Sequence, residues 1–250
     1  MIKTIYILWF QGLREAPIIV QKCIDSWKRH NKGWNIVVLD NTNLHNYIDI
    51  SSIKQVPSDI TAYRGLIKTD EVSEEIVMTT ALSDIVRIHL LKHYGGLWVD
   101  STCFCTKPLD LWLPPLITQG FFAYNRPTPN RMVASWFLYG EKDNYIIDKW
   151  YHSVKQFWQT NRPNFVYFWF HHLFNDLYLT DPAIKEIWDR VPKISVGEAM
   201  SLFLADIASP LSSDIKAIID SKAVPVFKLT YKCDMKKVYN KNSICSYLFK

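Results

Sequence analysis

Residues 2–10 (IKTIYILWF) form an apolar run rich in β-branched and aromatic side chains, which predicts a buried strand. Gln11-Gly12 breaks the run. Pro17 suits the first turn of a helix, and Val20, Cys23, Ile24 and Trp27 follow at the i, i+3, i+4, i+7 spacing of one helical face. A second apolar run at 34–39 (WNIVVL) closes on Asp40-Asn41. Strand, helix and strand in that order predict a β-α-β opening and an open parallel sheet. Residues 41–81 are mixed polar, helical in parts, with Pro57 as a breaker.

Further along, the pattern predicts a helix over 83–94, a stop at Gly95-Gly96 and a strand at 97–99. Pro108, Pro114, Pro115, Pro127 and Pro129 cut the next stretch into loops and short strands. Helical spacing returns at about 145–158, 165–179 and 182–191, and an apolar segment carrying lysine occupies 224–231. No repeat, low-complexity tract or linker interrupts the sequence, so the chain reads as a single α/β domain over 1–250.

The helix at 83–94 carries charge where aliphatic residues are expected. Turned at about 100° per residue, it gathers Val86, Ile88, Leu90 and Leu91 on one arc, opposite His89, Lys92, His93 and Ile85. Asp84 and Arg87 fall inside the apolar arc. A charge buried there costs several kcal/mol unless it is paired and hydrogen-bonded. One reading is a buried i, i+3 ion pair near the helix N-terminus, where the macrodipole helps Asp84. The other is a face turned to a polar ligand pocket, with Asp84 accepting from sugar hydroxyls and Arg87 balancing carboxylates or phosphates. Ser83 is the expected N-cap in both. Asp100 lands at the carboxyl end of the short strand, the edge of an α/β sheet where ligands bind. Asp84, Arg87 and Asp100 are therefore expected to converge.

Composition narrows the picture only a little. Apolar residues make 48% of the chain and charged residues 21%, as in ordinary globular proteins, while the net charge is +5 with a pI near 8.8. The charge is uneven: Lys222, Lys228, Lys232, Lys236, Lys237, Lys241 and Lys250 are offset by Asp234 alone. That segment is either a solvated tail or a contact for nucleotide phosphates or an anionic membrane surface. The aromatics are not interleaved with it as a stacking platform, which argues against nucleic-acid binding. Five cysteines lack zinc-type spacing and read as free thiols. With no signal peptide or long apolar span in view, the expected location is the cytoplasm, with peripheral contact at the membrane face.

At these residues a family likeness emerges. Ile7-Leu8-Trp9-Phe10-Gln11-Gly12, Pro17 with Cys23, Ser26 and Trp27, and Leu39-Asp40 carry its first part. Ala81-Leu82-Ser83-Asp84-Ile85-Val86-Arg87 and Tyr94-Gly95-Gly96-Leu97-Trp98-Val99-Asp100-Ser101-Thr102 carry its most specific part, and 167–174 with 227–233 extend it. The sequence resembles the bacterial capsular polysaccharide synthesis glycosyltransferases. These are related to the sugar-transferase group of the yeast mannosyltransferases and the glucosylating clostridial toxins.

The resemblance implies a GT-A-like fold: a Rossmann-like nucleotide-binding half (1–105) and a helical, aromatic-rich acceptor half with the basic C-terminal segment (106–250). It implies transfer from a nucleoside diphosphate sugar, UDP first among them, to a saccharide or lipid-linked saccharide, with retention at the anomeric carbon. Trp9 would pack on the base, with Gln11, Gly12, Asp40, Ser83 and Trp98 around the donor. Asp84 and Arg87 would contact the donor sugar. The D-x-D motif, which holds ribose, sugar and metal, reads Asp100-Ser101-Thr102 here. Manganese or magnesium is the expected cofactor, on Asp100, Thr102 and His171, although a hydroxyl is a poorer ligand than a carboxylate. If metal binding is weak, Lys228 and Lys232 are the basic groups available for the diphosphate.

Three points stay open. His171 is either a satisfied core residue or a group that reaches diphosphate or metal. Trp136, Trp150, Trp158 and Trp169 are either core or stacking faces for acceptor rings, and Asn125, Arg126 and Asn130 are candidate acceptor contacts. Two other functions compete: a hydrolase using Asp84 and Asp100 as a carboxylate pair, and a non-catalytic carbohydrate- or nucleotide-binding protein.

Overall fold

In the computed structural model the described residues are 1–49, 74–160, 167–233 and 241–250. The expected breaker Pro57 and the start of the helix expected at 165 lie outside them. Strand β1 (Thr4–Leu8) has a parallel neighbour on each side. Helix α1 (Ile18–His30) leads from it to β2 (Asn35–Leu39), which pairs along its whole length from Thr4↔Asn35 to Leu8↔Leu39. Helix α2 (Glu74–Tyr94) leads to β3 (Gly96–Val99), which pairs at Ile5↔Leu97 and Tyr6↔Trp98. The β-α-β opening expected from the pattern is present. Leaving β1, the chain goes to one side of it, then returns to the other.

The junction of α2 and β3 requires its two glycines. Gly95 has φ +66 and Gly96 φ +110, and a Cβ on Gly96 would lie 2.7 Å from the Thr4 carbonyl oxygen. Only a residue without a side chain lets β3 come this close to β1.

Beyond β3 the chain makes β4 (Cys103–Cys105), then a long hairpin of β5 (Phe121–Thr128) and β6 (Arg131–Gly140). The hairpin corrects two expectations. Its strands are long rather than short, and β6 runs antiparallel to β3, so the five-stranded sheet, ordered β2-β1-β3-β6-β5, is mixed rather than parallel. Pro127 argues against a strand, yet β5 is the edge strand and its register shifts beside that proline, both settings that spare a missing N–H. Strands from both sides of residue 105 therefore share one sheet.

Helices α3 (Tyr145–Thr160), α4 (Trp169–Thr180) and α5 (Pro182–Arg190) match the expected spans within a few residues. Asp181 caps α5 by accepting from the Ala183 and Ile184 amides, with Pro182 at the first helical position. The sheet is covered on both faces. Phe121 stacks on Phe174 of α4 with ring centroids 6.4 Å apart, whereas Phe137 meets Trp27 of α1 at 6.4 Å. Phe121 pairs opposite Gly140, three positions from Phe137, and residues an odd number apart point to opposite faces.

A second, smaller core lies beside this one. Helices α6 (Ser201–Leu204), α7 (Ser213–Ser221) and α8 (Ile244–Leu248) surround strand β7 (Val226–Lys228), which pairs antiparallel with β4 at Cys103↔Lys228, Phe104↔Phe227 and Cys105↔Val226. Phe104, Leu202, Phe227, Leu229, Ile244 and Leu248 are all buried in it. Among the described residues no helix is long and apolar enough to cross a membrane. No disulfide joins any of the five cysteines, four of which are buried.

Candidate functional site

Helix α2 begins at Glu74, so Ser83 lies inside it and is not the N-cap; the threonines at 79 and 80 hid the earlier turns. Asp84 also gains nothing from a nearby helix N-terminus. Ile85 is 2% exposed although the wheel set it on the polar side, because α2 is enclosed nearly all round here. Asp84 and Arg87 are each 3% exposed, as the apolar arc implied.

Both readings of this pair describe part of what is found. Arg87 Nη1 lies 2.5 Å from Asp84 Oδ1, a buried i, i+3 ion pair. Its Nη2 donates to Ser83 Oγ at 3.1 Å and to Asp100 Oδ1 at 3.3 Å. The guanidinium lies over the Trp98 ring at 5.1 Å and the Phe170 ring at 5.6 Å. An arginine gripped by two carboxylates and two rings is fixed before any ligand arrives.

Asp100 sits at the carboxyl end of β3 and is the junction of the site. Trp98 Nε1 donates to its Oδ1 at 3.1 Å, and Lys228 Nζ lies 3.4 Å from its Oδ2. Lys228 Nζ also donates to Thr102 Oγ1. Burial alone would raise the Asp100 pKa, but Lys228, Arg87 and the Trp98 hydrogen bond hold it below the usual carboxylate value. Asp84 goes the other way. Burial, aided by the Asp100 charge and opposed by Arg87, raises it to about 7.

Arg87, Trp98, Asp100, Thr102 and Lys228 border a cleft of about 330 Å³ at the carboxyl ends of β1 and β3. Because the chain leaves β1 and β3 toward opposite sides, this is the switch point where open α/β sheets take ligands. Trp9, Gln11, Ser83, Arg87, Trp98, Asp100, Thr102, Lys228 and Lys232 line it. Trp9 packs edge-on against Tyr231, ring centroids 5.3 Å apart, and its buried Nε1 has no hydrogen-bond partner.

Four expected residues do not line the cleft. Asp84 stands behind Arg87. Gly12, with φ +85, and Asp40 belong to neighbouring loops, where Asp40 Oδ1 accepts from the Thr42 amide at 2.8 Å and the Thr42 hydroxyl at 2.6 Å. His171 is 8% exposed on α4, with its ring against Phe168 and Phe170 and its Nδ1 unpartnered. Burial, reinforced by Arg87 and Arg131, lowers its pKa to about 3.

Conversely, Thr79, Thr80, Tyr167 and Tyr231 line the cleft without having been singled out. In a chain with 14% aromatics, a tyrosine reads as core by default, and nothing local marked these two. The four candidate sugar-stacking tryptophans are all buried at 7% exposure or less, hence core.

The described donors suit the metal expected from the resemblance poorly. Its two ligands in the motif, Asp100 and Thr102, both face the Lys228 ammonium. Among the described residues no three His, Cys, Asp or Glu side chains are grouped to hold an ion.

The family model described as capsular polysaccharide synthesis protein matches residues 1–248. The O-glycosyltransferase braB of Annulohypoxylon truncatum is 25% identical over 233 residues, covering 87% of this chain and 52% of its own length. A probable glycosyltransferase of Fusarium pseudograminearum is 25% identical over 161 residues, covering 62% of this chain and 39% of its own. The O-glycosyltransferase PaGT of Phomopsis amygdali is 24% identical over 165 residues, with the same two coverages. The chain thus spans about half the length, or less, of these curated relatives. Among solved structures, the PaToxG glycosyltransferase aligns at a TM-score of 0.47 and 18% identity, covering 88% of this chain and 84% of that one.

Proposed function

The chain belongs to the capsular polysaccharide synthesis protein family, and on that premise we propose that its cleft is the donor site of a GT-A-like glycosyltransferase. The donor is a nucleoside diphosphate sugar, with uridine the expected base. The acceptor is a hydroxyl oxygen of a saccharide or lipid-linked saccharide in surface polysaccharide synthesis. Two fungal relatives bear the name O-glycosyltransferase, which supports an oxygen acceptor. Exposed lysines such as Lys222, Lys241 and Lys250 would draw the protein to an anionic membrane face that carries such acceptors.

One observation carries the reading. Arg87, Lys228 and Lys232 share a concave lining with the Trp9–Tyr231 wall at the switch point of the sheet. A leaving diphosphate gathers negative charge, which fixed cations stabilise best in a partly enclosed cleft. An aromatic wall suits the base. Asp100 is the only carboxylate among the described lining residues, and it is engaged by Arg87 and Lys228. Among the described lining residues none is left as a spare general base for an inverting displacement, and that favours retention. The same geometry disfavours a hydrolase, whose two carboxylates must flank the scissile bond, because Asp84 is buried behind Arg87.

The test is a melting-temperature panel of nucleoside diphosphate sugars, since a ligand of the folded state alone raises its midpoint. A midpoint raised by at least one nucleotide sugar and by its free diphosphate supports the assignment. No shift with any of them, together with hydrolysis of simple glycosides, would overturn it.

A further inference from the structure

The basic C-terminal segment divides into two kinds of lysine. Lys222, Lys232, Lys241 and Lys250 are exposed. Lys228 is not: its side chain is 16% exposed, and its backbone is fixed on three sides. Its amide donates to the Ala199 carbonyl at 2.8 Å, it stands opposite Cys103 in the β4–β7 ladder, and the next amide, Leu229, donates to the Thr102 carbonyl at 2.8 Å. Phe227 and Leu229 on either side are fully buried in the smaller core. That core thus acts as an anchor that carries one ammonium to the cleft wall.

The ammonium arrives between the Asp100 carboxylate and the Thr102 hydroxyl, the two protein groups that a motif-bound ion would use. A divalent ion at that point would have to displace a nearby fixed positive charge, and among the described lining residues it would meet one carboxylate rather than the oxygen-rich set that hard cations require. The second carboxylate of the motif is here a threonine, which an ammonium can satisfy with a single donated hydrogen bond.

We propose that the Lys228 ammonium stands in the position of the divalent cation and receives the donor's β-phosphate, so that sugar transfer needs no divalent metal ion. This rests on the cleft being a nucleoside-diphosphate-sugar site. In the transfer step the bond from the anomeric carbon to the β-phosphate oxygen breaks, and its electron pair stays on that oxygen. The acceptor hydroxyl oxygen forms the new bond to the same carbon, and its proton passes to the departing diphosphate. Lys228 and Arg87 stabilise the charge gathered on the diphosphate as the bond lengthens. Asp100 and Thr102 serve to aim the ammonium.

The experiment is calorimetric titration of UDP and of GDP into the whole chain, in chelator and in manganese, for wild type, Lys228→Met and Lys228→Arg. Far-UV circular dichroism and melting temperature verify that each variant is folded. The expected result is wild-type affinity unchanged by chelator within a factor of about two, about a tenfold or greater loss in Lys228→Met, and partial retention in Lys228→Arg. Binding that disappears in chelator and returns with manganese would overturn the proposal while leaving the donor site intact. Full affinity in a folded Lys228→Met would overturn it as well. If neither nucleotide binds wild type in either buffer, the donor-site reading itself fails, and this inference with it.

Discussion

The two sides of the cleft are built differently. On one side Ser83, Asp84, Arg87, Trp98 and Asp100 come from a single helix–strand unit, α2 and β3, and meet through short-range contacts on the large sheet. On the other, Lys228 is 126 residues from its partner Thr102 and is held by a separate core of small helices. The near side couples function to folding, since its charges are buried in the main core. The far side adds a charge at the rim. Substitutions on the near side should therefore damage activity and stability together, and those on the far side activity alone.

The largest effect is expected from Arg87→Ala. It leaves Asp84 buried without its partner, a loss of roughly 3–5 kcal/mol in denaturant unfolding, and it abolishes transfer. Full activity in this variant would mean the two sides do not form one site. Lys228→Met comes next, with transfer reduced about 10²-fold or more by loss of one preorganised charge donor. Its unfolding free energy should stay within about 1 kcal/mol of wild type, as for a residue that anchors no core of its own. Equal damage to stability would erase the contrast. Gly96→Ala tests the near side without touching a charge. A strained φ and a backbone clash with Thr4 predict a loss of roughly 1–3 kcal/mol or more in unfolding experiments.

His171 gives the next smaller effect, and it is a matter of pH. The folded chain keeps this imidazole neutral down to about pH 3, while the unfolded chain protonates it near its ordinary 6.5. Its contribution to stability is thus complete above pH 6.5 and is lost as pH falls from there toward 3. His171→Phe should gain on wild type steadily across that window in melting temperature, with nucleotide affinity unchanged. A loss of affinity would instead connect His171 to the ligand. The smallest effect is expected from Lys241→Ala, an exposed tail lysine, whose stability should shift by no more than about 0.5 kcal/mol.

The same contrast governs what could be read from the sequence. The near side was legible because its meaning is local: two charges on an apolar arc, a glycine pair and an acid at a strand end lie within one stretch of chain. Even there the helix start was missed, because α2 continues upstream of Ser83 through threonines without a clear period. Of the seven lysines the resemblance pointed to Lys228 and Lys232 together, and nothing in the sequence around Lys228 distinguishes it from Lys232. The pairing of β7 with β4 makes that distinction, and such long-range pairing leaves no periodic mark. Tyr167 and Tyr231 were hidden by the general abundance of aromatics. The β5–β6 hairpin was hidden by prolines that an edge strand tolerates.

The central claim is that the cleft recognises a diphosphate on a nucleoside. Calorimetric titration of the matched nucleoside, monophosphate and diphosphate into wild type and Arg87→Ala tests it most directly. The account predicts a steep ladder in wild type, with the diphosphate binding about tenfold or more tightly than the monophosphate and the bare nucleoside weakest. It predicts that the ladder collapses in Arg87→Ala. Equal affinity for all three, or a ladder that persists without Arg87, would contradict it.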